Sequence, residues 1–297
     1  MIYWDEDDAL LLSTGLPLEI IANVLFNSDS EESRQSMLKA IGGKYLQRYL
    51  IMKEYRSLVR RGEQKMPLIL LLAGMPGVGK SVLAKELSTA FGIDLVIGGD
   101  VFRSAFRSVL PRAGNEAFFT SIYNSWKVIS DQYSENTAVE GFKAQAKIMN
   151  QAVQHLIADR GFRDGESMVL EYLHFLPSQF DPGFFNHPSF ISIILKINDL
   201  SIYEERLASR SRFSHLRSPG ERLLDQKERY LLFQDYQCEE AVKFHLPVIP
   251  VDHFPQAFDQ ILDVVFLQIQ QLNRLKDYQG PEIELLEKIK KDRALNS

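Results

Sequence analysis

The sequence predicts an α/β fold: a three-layer α/β/α sandwich around a five-stranded, mostly parallel sheet, with a helical N-terminal extension. Three observations predict it. Short apolar runs alternate with helical segments from Leu68 to Val251, the pattern of right-handed strand–helix crossovers. The first run leads straight into a glycine-rich turn and a helix, PLILLLAGMPGVGKSVLAKEL over residues 67–87. Residues 5–66, by contrast, carry helical periodicity and no strong strand pattern.

A chain of 297 residues has room for one large α/β domain and an appended helical piece. The expected division is an extension over 1–66, a core over 67–279 and a charged tail helix over 280–297. The chain is 45% hydrophobic and 25% charged, ordinary for a soluble globular protein. A net charge of -5 argues against a general nucleic-acid surface, which needs a basic excess. No apolar run approaches the roughly 20 residues of a membrane-spanning helix. The N-terminus, MIYWDEDDALLL, carries acid where a signal peptide carries Lys or Arg. The single cysteine, Cys238, excludes an intrachain disulfide and fits a reducing cytoplasm. Six scattered histidines lack ligand spacing, so no zinc site is expected. The chain therefore reads as cytoplasmic, without membrane or nucleic-acid partners, and self-association is left open.

In the extension, Leu16, Ile20, Ile21, Val24 and Leu25 fall on one helical face. A loop is expected over Asn27 to Ser33. A second helix carries Met37, Leu38 and Ile41, pauses at Gly42-Gly43 and resumes from Tyr45 to Arg61. These helices read either as a cap on the core or as a regulatory, substrate-covering module. The core strands are expected at Leu68–Ala73, Asp94–Ile97, Met168–Tyr172, Phe190–Ile197 and Leu246–Val251. Residues 116–160 read as helix interrupted near Gly141. A long amphipathic helix starts at Pro255 and breaks at Gly280-Pro281.

The turn Gly74-Met75-Pro76-Gly77-Val78-Gly79-Lys80-Ser81 meets every fixed position of the G-x-x-x-x-G-K-[ST] phosphate-binding pattern. Glycines let consecutive N–H groups approach phosphate oxygens, and the following helix N-terminus, with Val82 in its first turn, adds partial positive charge. Lys80 is expected at the β- and γ-phosphates and the Ser81 hydroxyl on Mg²⁺. The pattern predicts a bound nucleoside triphosphate.

Asp100 lies just past the second strand, at the carboxyl-end crevice where open parallel sheets bind ligands. It is the first candidate for a base or metal-linked carboxylate, and a helix N-cap role competes. Arg103 and Arg107 share a helix face and can hold an anion by forked hydrogen bonds, or stand as surface charges. Tyr123 and Trp126 form an aromatic stripe that is core or ligand contact. Glu171, ending the third strand, can order Mg²⁺-bound water, and His174 follows it. A basic stretch contains Arg206, Arg210, Arg212, Arg217, Arg222, Lys227 and Arg229. Ser211 to Gly220 reads as a loop that can move, so residues 203–222 are expected to form a lid that brings arginines to the transferring phosphoryl group. The alternative is a solvated face paired with neighbouring glutamates.

Taken together, these residues resemble the archaeal 2-phosphoglycerate kinase family. LILLLAGMPGVGKSVLAKELSTAFGI and VIGGDVFRSAFR are similar to its phosphate loop and Asp-x-x-Arg segment. TSIYNSWK is similar to its Thr-Ser-Ser-Tyr-x-Ala-Trp-Lys signature, and EGFKAQAKIMNQAVQHLI to its Gly-Phe-x-x-Gln helix. VLEYLHFLP resembles its Glu-Gly-x-His strand end, and YEERLASRSRF, ERYLLFQDYQ and LPVIPV its lid and last strand. Gly99 and Tyr172 depart from it, standing where the family has Thr or Ser and Gly. The resemblance implies ATP and Mg²⁺ as cofactors and a small phosphorylated hydroxy acid as acceptor. By it, Lys80, Asp100, Arg210 and Arg212 act in catalysis. Arg103, Arg107, Tyr123, Trp126, His174 and Arg206 bind substrate, and Ser81 and Glu171 hold metal. A nucleotide-controlled binding protein with little turnover and a kinase for a nucleotide-sugar are the rival expectations.

Overall fold

The computed structural model describes residues 6–213, 221–275 and 283–294. The extension opens with α1 (Glu6–Ala9), a 3₁₀ turn at Leu10–Thr14, α2 (Leu18–Asn27), α3 (Glu31–Ile41) and α4 (Gly43–Arg60). The core begins with β1 (Ile69–Ala73), α5 (Lys80–Phe91), β2 (Val96–Gly98), α6 (Gly99–Val109) and α7 (Glu116–Phe119). A 3₁₀ segment at Ile122–Val128 leads to α8 (Glu135–Leu156), which continues as a π-helix at Ile157–Arg163. Then come β3 (Met168–Tyr172), α9 (Gly183–Asn186), β4 (Phe190–Lys196), α10 (Leu200–Phe213), α11 (Glu221–Leu224) and α12 (Lys227–Lys243). The last elements are β5 (Val248–Pro250), α13 (Phe254–Arg274) and α14 (Glu284–Ala294).

The sheet order is β2-β3-β1-β4-β5, and all four pairings are parallel. The central β1 is buried at every residue, as a strand covered on both faces must be. Its period-two alternation sends Leu70 and Leu72 to one face and Ile69, Leu71 and Ala73 to the other. Leu83 and Leu87 of α5 and Ile261 and Val265 of α13 cover the first face. Met149 and Val153 of α8, with Ile157 of the π-helix, cover the second. The expected three-layer sandwich is present.

The N-terminal helices join the first of these cores. Leu11, Ile21, Val24, Leu38, Tyr49 and Met52 are buried in one cluster with α5 and α13. Arg48, buried itself, donates to the Thr14 carbonyl at 2.9 Å and to Asp263 of α13 at 2.5 Å. Ile20 departs from the expected apolar face and is exposed. The loop expected over 27–33 is shorter, because Ser30 caps α3 by accepting from the Ser33 N–H.

Gly141 does not interrupt a helix. It sits inside the unbroken α8, where a Cβ would come within 2.5 Å of the Ser125 carbonyl carbon and the Trp126 nitrogen. The glycine lets the backbone of the 122–128 segment press onto the helix. Gly141→Ala should therefore cost about 1–3 kcal/mol by overpacking, although Ala is the better helix former by ~1 kcal/mol. Gly43, whose Cβ would meet nothing within 4 Å, is the control. Urea unfolding of Gly141→Ala and Gly43→Ala separates the two effects.

Helix α10 runs to Phe213, past the Ser211 at which a loop was expected. Residues 214–220, the Gly280-Pro281 break and the side chains of Arg210 and Arg212 lie outside the described part. Among the described residues, no helix is long and apolar enough to cross a membrane.

Candidate active site

The phosphate loop leaves β1 at Gly74 and enters α5 at Lys80, at the carboxyl edge of the sheet. Gly79 adopts φ 96°, and a Cβ there would lie 2.3 Å from Cζ of Phe254. Only glycine fits this close approach. Phe254 is in turn covered by Arg206, whose guanidinium carbon is 4.5 Å from the ring centroid. Arg206 Nη2 also donates to the Val251 carbonyl at 2.8 Å. Buried Tyr203 and Leu207 of α10 press on Gly77, while Met75 and Val78 are buried beneath the loop. The loop is thus held by α10 and α13 as well as by its own turns. Lys80 donates from Nζ to the Met75 carbonyl at 2.9 Å, folding its charge back over the loop. Ser81 and Val82, in the first turn of α5, are exposed.

Glu171 is the penultimate residue of β3, opposite Leu72 of β1 and Gly98 of β2. It lies two residues on from Val169 and so shares the face covered by α5. Its Oε2 is buried and has no hydrogen-bond partner among the described residues. An orphaned carboxylate oxygen costs a desolvation penalty unless something binds it. That atom and the Ser81 hydroxyl are hard oxygens of the kind that Mg²⁺ takes as ligands.

Beside the loop lies a cavity of about 330 Å³, lined by Pro76, Asp100, Arg103, Arg107, Tyr123 and His174 among others. Asp100 is exposed in the first turn of α6, whose N-cap is Gly98, so the N-cap role does not apply to it. Arg103 and Arg107 lie one and two turns further on. Both donate to the carbonyls of Phe118 and Thr120; Arg107 Nη2 reaches them at 2.9 and 2.7 Å. Burial, then the neighbouring charge of Arg107, pushes Arg103 down to about 10. Two neighbouring cations held by backbone carbonyls keep their charge available to an anion.

His174 is buried and sits between two glutamines. Gln145 of α8 meets its Nε2 at 2.9 Å, and Gln237 of α12 donates to the flanking carbonyls of Leu173 and Phe175 at 2.7 and 2.9 Å. Burial, with Arg103, Lys80 and Arg107 nearby, holds His174 well below its ordinary value of 6.5. The unfolded chain therefore takes up a proton below pH 6.5 that the native protein refuses. This contribution to stability is complete above that pH and declines as the pH falls, by up to ~1.4 kcal/mol per pH unit. Denaturant midpoints across pH 5–7 should show His174→Gln lacking that part of the slope.

The structure thus gathers Asp100, Arg103, Arg107, Tyr123 and His174 around one cavity, with Lys80, Ser81 and Glu171 beside the adjoining loop. It does not bring Trp126 or Arg206 to that cavity. Trp126 packs edge-on against Tyr133 at 5.5 Å, because the Gly141 contact draws its backbone onto α8. Arg206 is spent on the end of β5 and on Phe254. The cavity also takes in Arg222 and Leu223 of α11 and buried Tyr230 of α12. Arg222 was visible in the sequence as one of a row of basic residues. Nothing in that row distinguished it from Lys227, which pairs with Glu204.

A phosphate loop at the exit of a central parallel strand, opening beside a cationic cavity, defines a P-loop phosphotransferase. The curated relatives that the chain resembles are themselves named as kinases. The particular likeness is to archaeal 2-phosphoglycerate kinases. The chain is 28% identical to that of Methanopyrus kandleri over 211 residues, covering 71% of this chain and 63% of that one. It is 24% identical to that of Pyrococcus furiosus over 276 residues, 92% of this chain and 87% of that one. It is also 28% identical to the mevalonate-3-phosphate 5-kinase of Thermoplasma acidophilum over 195 residues, 66% of this chain and 94% of that one. No protein-family model matches the chain. A gluconokinase from Sinorhizobium meliloti overlaps with a TM-score of 0.35 at 15% identity, over 70% of this chain and 95% of that one, too loosely to bear on function.

Proposed function

We propose that the protein transfers the γ-phosphate of ATP to the hydroxyl of a small phosphorylated hydroxy acid, with 2-phosphoglycerate, giving 2,3-bisphosphoglycerate, as the leading acceptor. The observation that carries this reading is the cavity, whose lining among the described residues holds Arg103, Arg107 and Arg222 and one carboxylate, Asp100. A cluster of planar forked donors suits an acceptor bearing both a carboxylate and a phosphate. The named substrates of the relatives, 2-phosphoglycerate and mevalonate 3-phosphate, share that chemistry.

In this reading, the glycine-loop N–H groups and the N-terminus of α5 cradle the triphosphate. Lys80 exchanges the Met75 carbonyl for phosphate oxygen. Ser81 and Glu171 would hold Mg²⁺, which neutralises charge on the phosphates. Asp100 orients the attacking hydroxyl and takes its proton. Arg210 and Arg212 are assigned to the closing of α10 over the transferring group, and Arg206 to holding the base of that helix.

Purified protein with ATP, Mg²⁺ and a panel containing 2-phosphoglycerate, mevalonate 3-phosphate, a sugar and a nucleotide-sugar, followed by phosphorus NMR, tests the assignment. Transfer to a sugar or a nucleotide-sugar alone would keep the kinase and remove the acid. ATP binding with no transfer to any member would favour a nucleotide-controlled binding protein. Within the proposal, Arg107→Ala should raise the acceptor KM by about 10- to 100-fold, the worth of a charged hydrogen bond. The KM for ATP should stay within about twofold. Steady-state kinetics with each substrate varied in turn makes the comparison.

A further inference from the structure

The Gly-Phe-x-x-Gln segment of α8 has no role in the reading above, yet its residues converge on His174. Gly141 admits the backbone before Trp126, and the Phe142 ring lies 6.4 Å from the imidazole. Gln145 is fully buried and bonds at both ends of its amide. One end lies 2.7 Å from the Ala117 carbonyl and 3.2 Å from that of Thr120. Both partners offer only lone pairs, so this end is the NH₂ group; the flipped amide would set three oxygens against one another. The other end is then the oxygen Oε1, which can only accept, and it sits 2.9 Å from His174 Nε2. His174 Nε2 must therefore carry a hydrogen. A neutral imidazole has one N–H, which leaves Nδ1 bare. Nδ1 is buried and has no partner among the described residues.

We infer that Gln145 is a positioning residue that fixes His174 as the Nε2–H tautomer, so that Nδ1 accepts a hydrogen bond from the hydroxyl of the bound acceptor. The tautomer follows from geometry alone, while the identity of the donor rests on the proposed function. The cavity's arginines are all donors and suit the acid's phosphate and carboxylate oxygens. A phosphorylated hydroxy acid with both acid groups ionised has one donor, its hydroxyl. Among the cavity's side chains, Asp100 and His174 Nδ1 accept without also donating, unlike the hydroxyls of Ser121, Tyr123 and Tyr230. The neutral ring can orient that hydroxyl without adding charge beside the arginines. Gln237 holds the backbone on either side of the ring while Gln145 holds the ring itself, so the nitrogen's position is set twice over.

Long-range proton–nitrogen correlation on the full chain labelled with ¹⁵N-histidine reads the tautomer at neutral pH, with the His174 signals assigned by their loss in His174→Gln. An Nε2–H pattern is expected; an Nδ1–H pattern, or protonation of both nitrogens, would overturn the inference. Addition of 2-phosphoglycerate should shift the Nδ1 resonance, whereas 2-phospholactate, which lacks the hydroxyl, should bind and leave it in place. Equal shifts with both compounds would remove the hydroxyl contact. Binding of neither would remove the phosphoglycerate reading and the donor assignment with it, while the tautomer would still stand or fall on the wild-type spectrum. Gln145→Leu should scramble the tautomer and lower kcat by about 10- to 100-fold, the scale known for partners that orient imidazole ligands at metal sites, with the KM for ATP nearly unchanged. A scrambled tautomer with full turnover would end the positioning role. If that variant does not fold, the wild-type spectra with the two compounds decide the question.

Discussion

Lys80→Met is expected to lower kcat by about a thousand-fold, ~4 kcal/mol, while ADP still binds. In the proposed reaction, the glycine-loop N–H groups and the N-terminus of α5 hold the phosphates of either nucleotide whether or not the lysine is present. Its ammonium matters most when charge develops between the β- and γ-phosphates, and stabilisation confined to that moment appears in kcat. The Met75 carbonyl that now accepts from Nζ at 2.9 Å would keep only the longer bond from the Val78 N–H at 3.4 Å in the variant, so a small loss of stability should accompany the kinetic one. Lys80→Arg should not restore turnover, because the guanidinium is larger and its charge is spread over a plane. Rapid-quench measurement of one turnover, beside ADP titration calorimetry and a melting curve, distinguishes the effects. A variant whose turnover falls only in step with ADP affinity would show that the lysine serves binding alone.

Much of the fold was legible because the sheet is parallel and covered on both faces. Such strands read as unbroken apolar runs, and β1, β3 and β4 lie within a residue of the expected bounds. The edge strands were harder. β2 spans Val96–Gly98, later than expected, and β5 shrinks to Val248–Pro250, because an edge strand needs only the residues its one neighbour pairs. Gly141 was misread for a different reason. A glycine in a helical pattern signals either a break or a close approach, and the residues that approach it, Ser125 and Trp126, are distant enough in sequence to be invisible to local periodicity.

The site divides in the same way. The glycine-rich loop between β1 and α5 was legible because its pattern is contiguous in sequence. Asp100, Arg103 and Arg107 were legible because one helix carries all three on one face. Arg206 and Trp126 were assigned to a ligand by residue type, but their partners come from elsewhere: Val251 and Phe254 for one, Tyr133 and α8 for the other. Arg222, Tyr230 and Gln145 reach the site only through tertiary packing. The carbonyls of Phe118 and Thr120, which hold the two arginines, carry no side-chain signature that any sequence pattern could reveal.

Asp100→Asn should reduce kcat by about 10²- to 10⁴-fold, the range for removing a positioned general base. The substitution keeps the size of the side chain and one carbonyl oxygen but cannot take a proton. Asp100 lines the cavity with Arg103, Arg107 and Arg222, and its charge repels an anionic acceptor even as it balances those arginines. Its loss should therefore leave the acceptor KM unchanged or lower it, so that kcat and KM fall together instead of moving in opposition. A carboxylate acting through the metal would leave a different trace, a raised Mg²⁺ requirement with turnover recovered at high Mg²⁺. A helix-end charge with no chemical part would leave a third. Asp100 stands in the first turn of α6, where losing a negative charge costs about 0.3–1 kcal/mol of stability and nothing in turnover. Initial rates over a grid of acceptor and Mg²⁺ concentrations, with urea unfolding of the same preparation, tell the three apart. Full turnover in the variant would pass the base role to His174, whose Nδ1 is the other group among the cavity's side chains that accepts without donating.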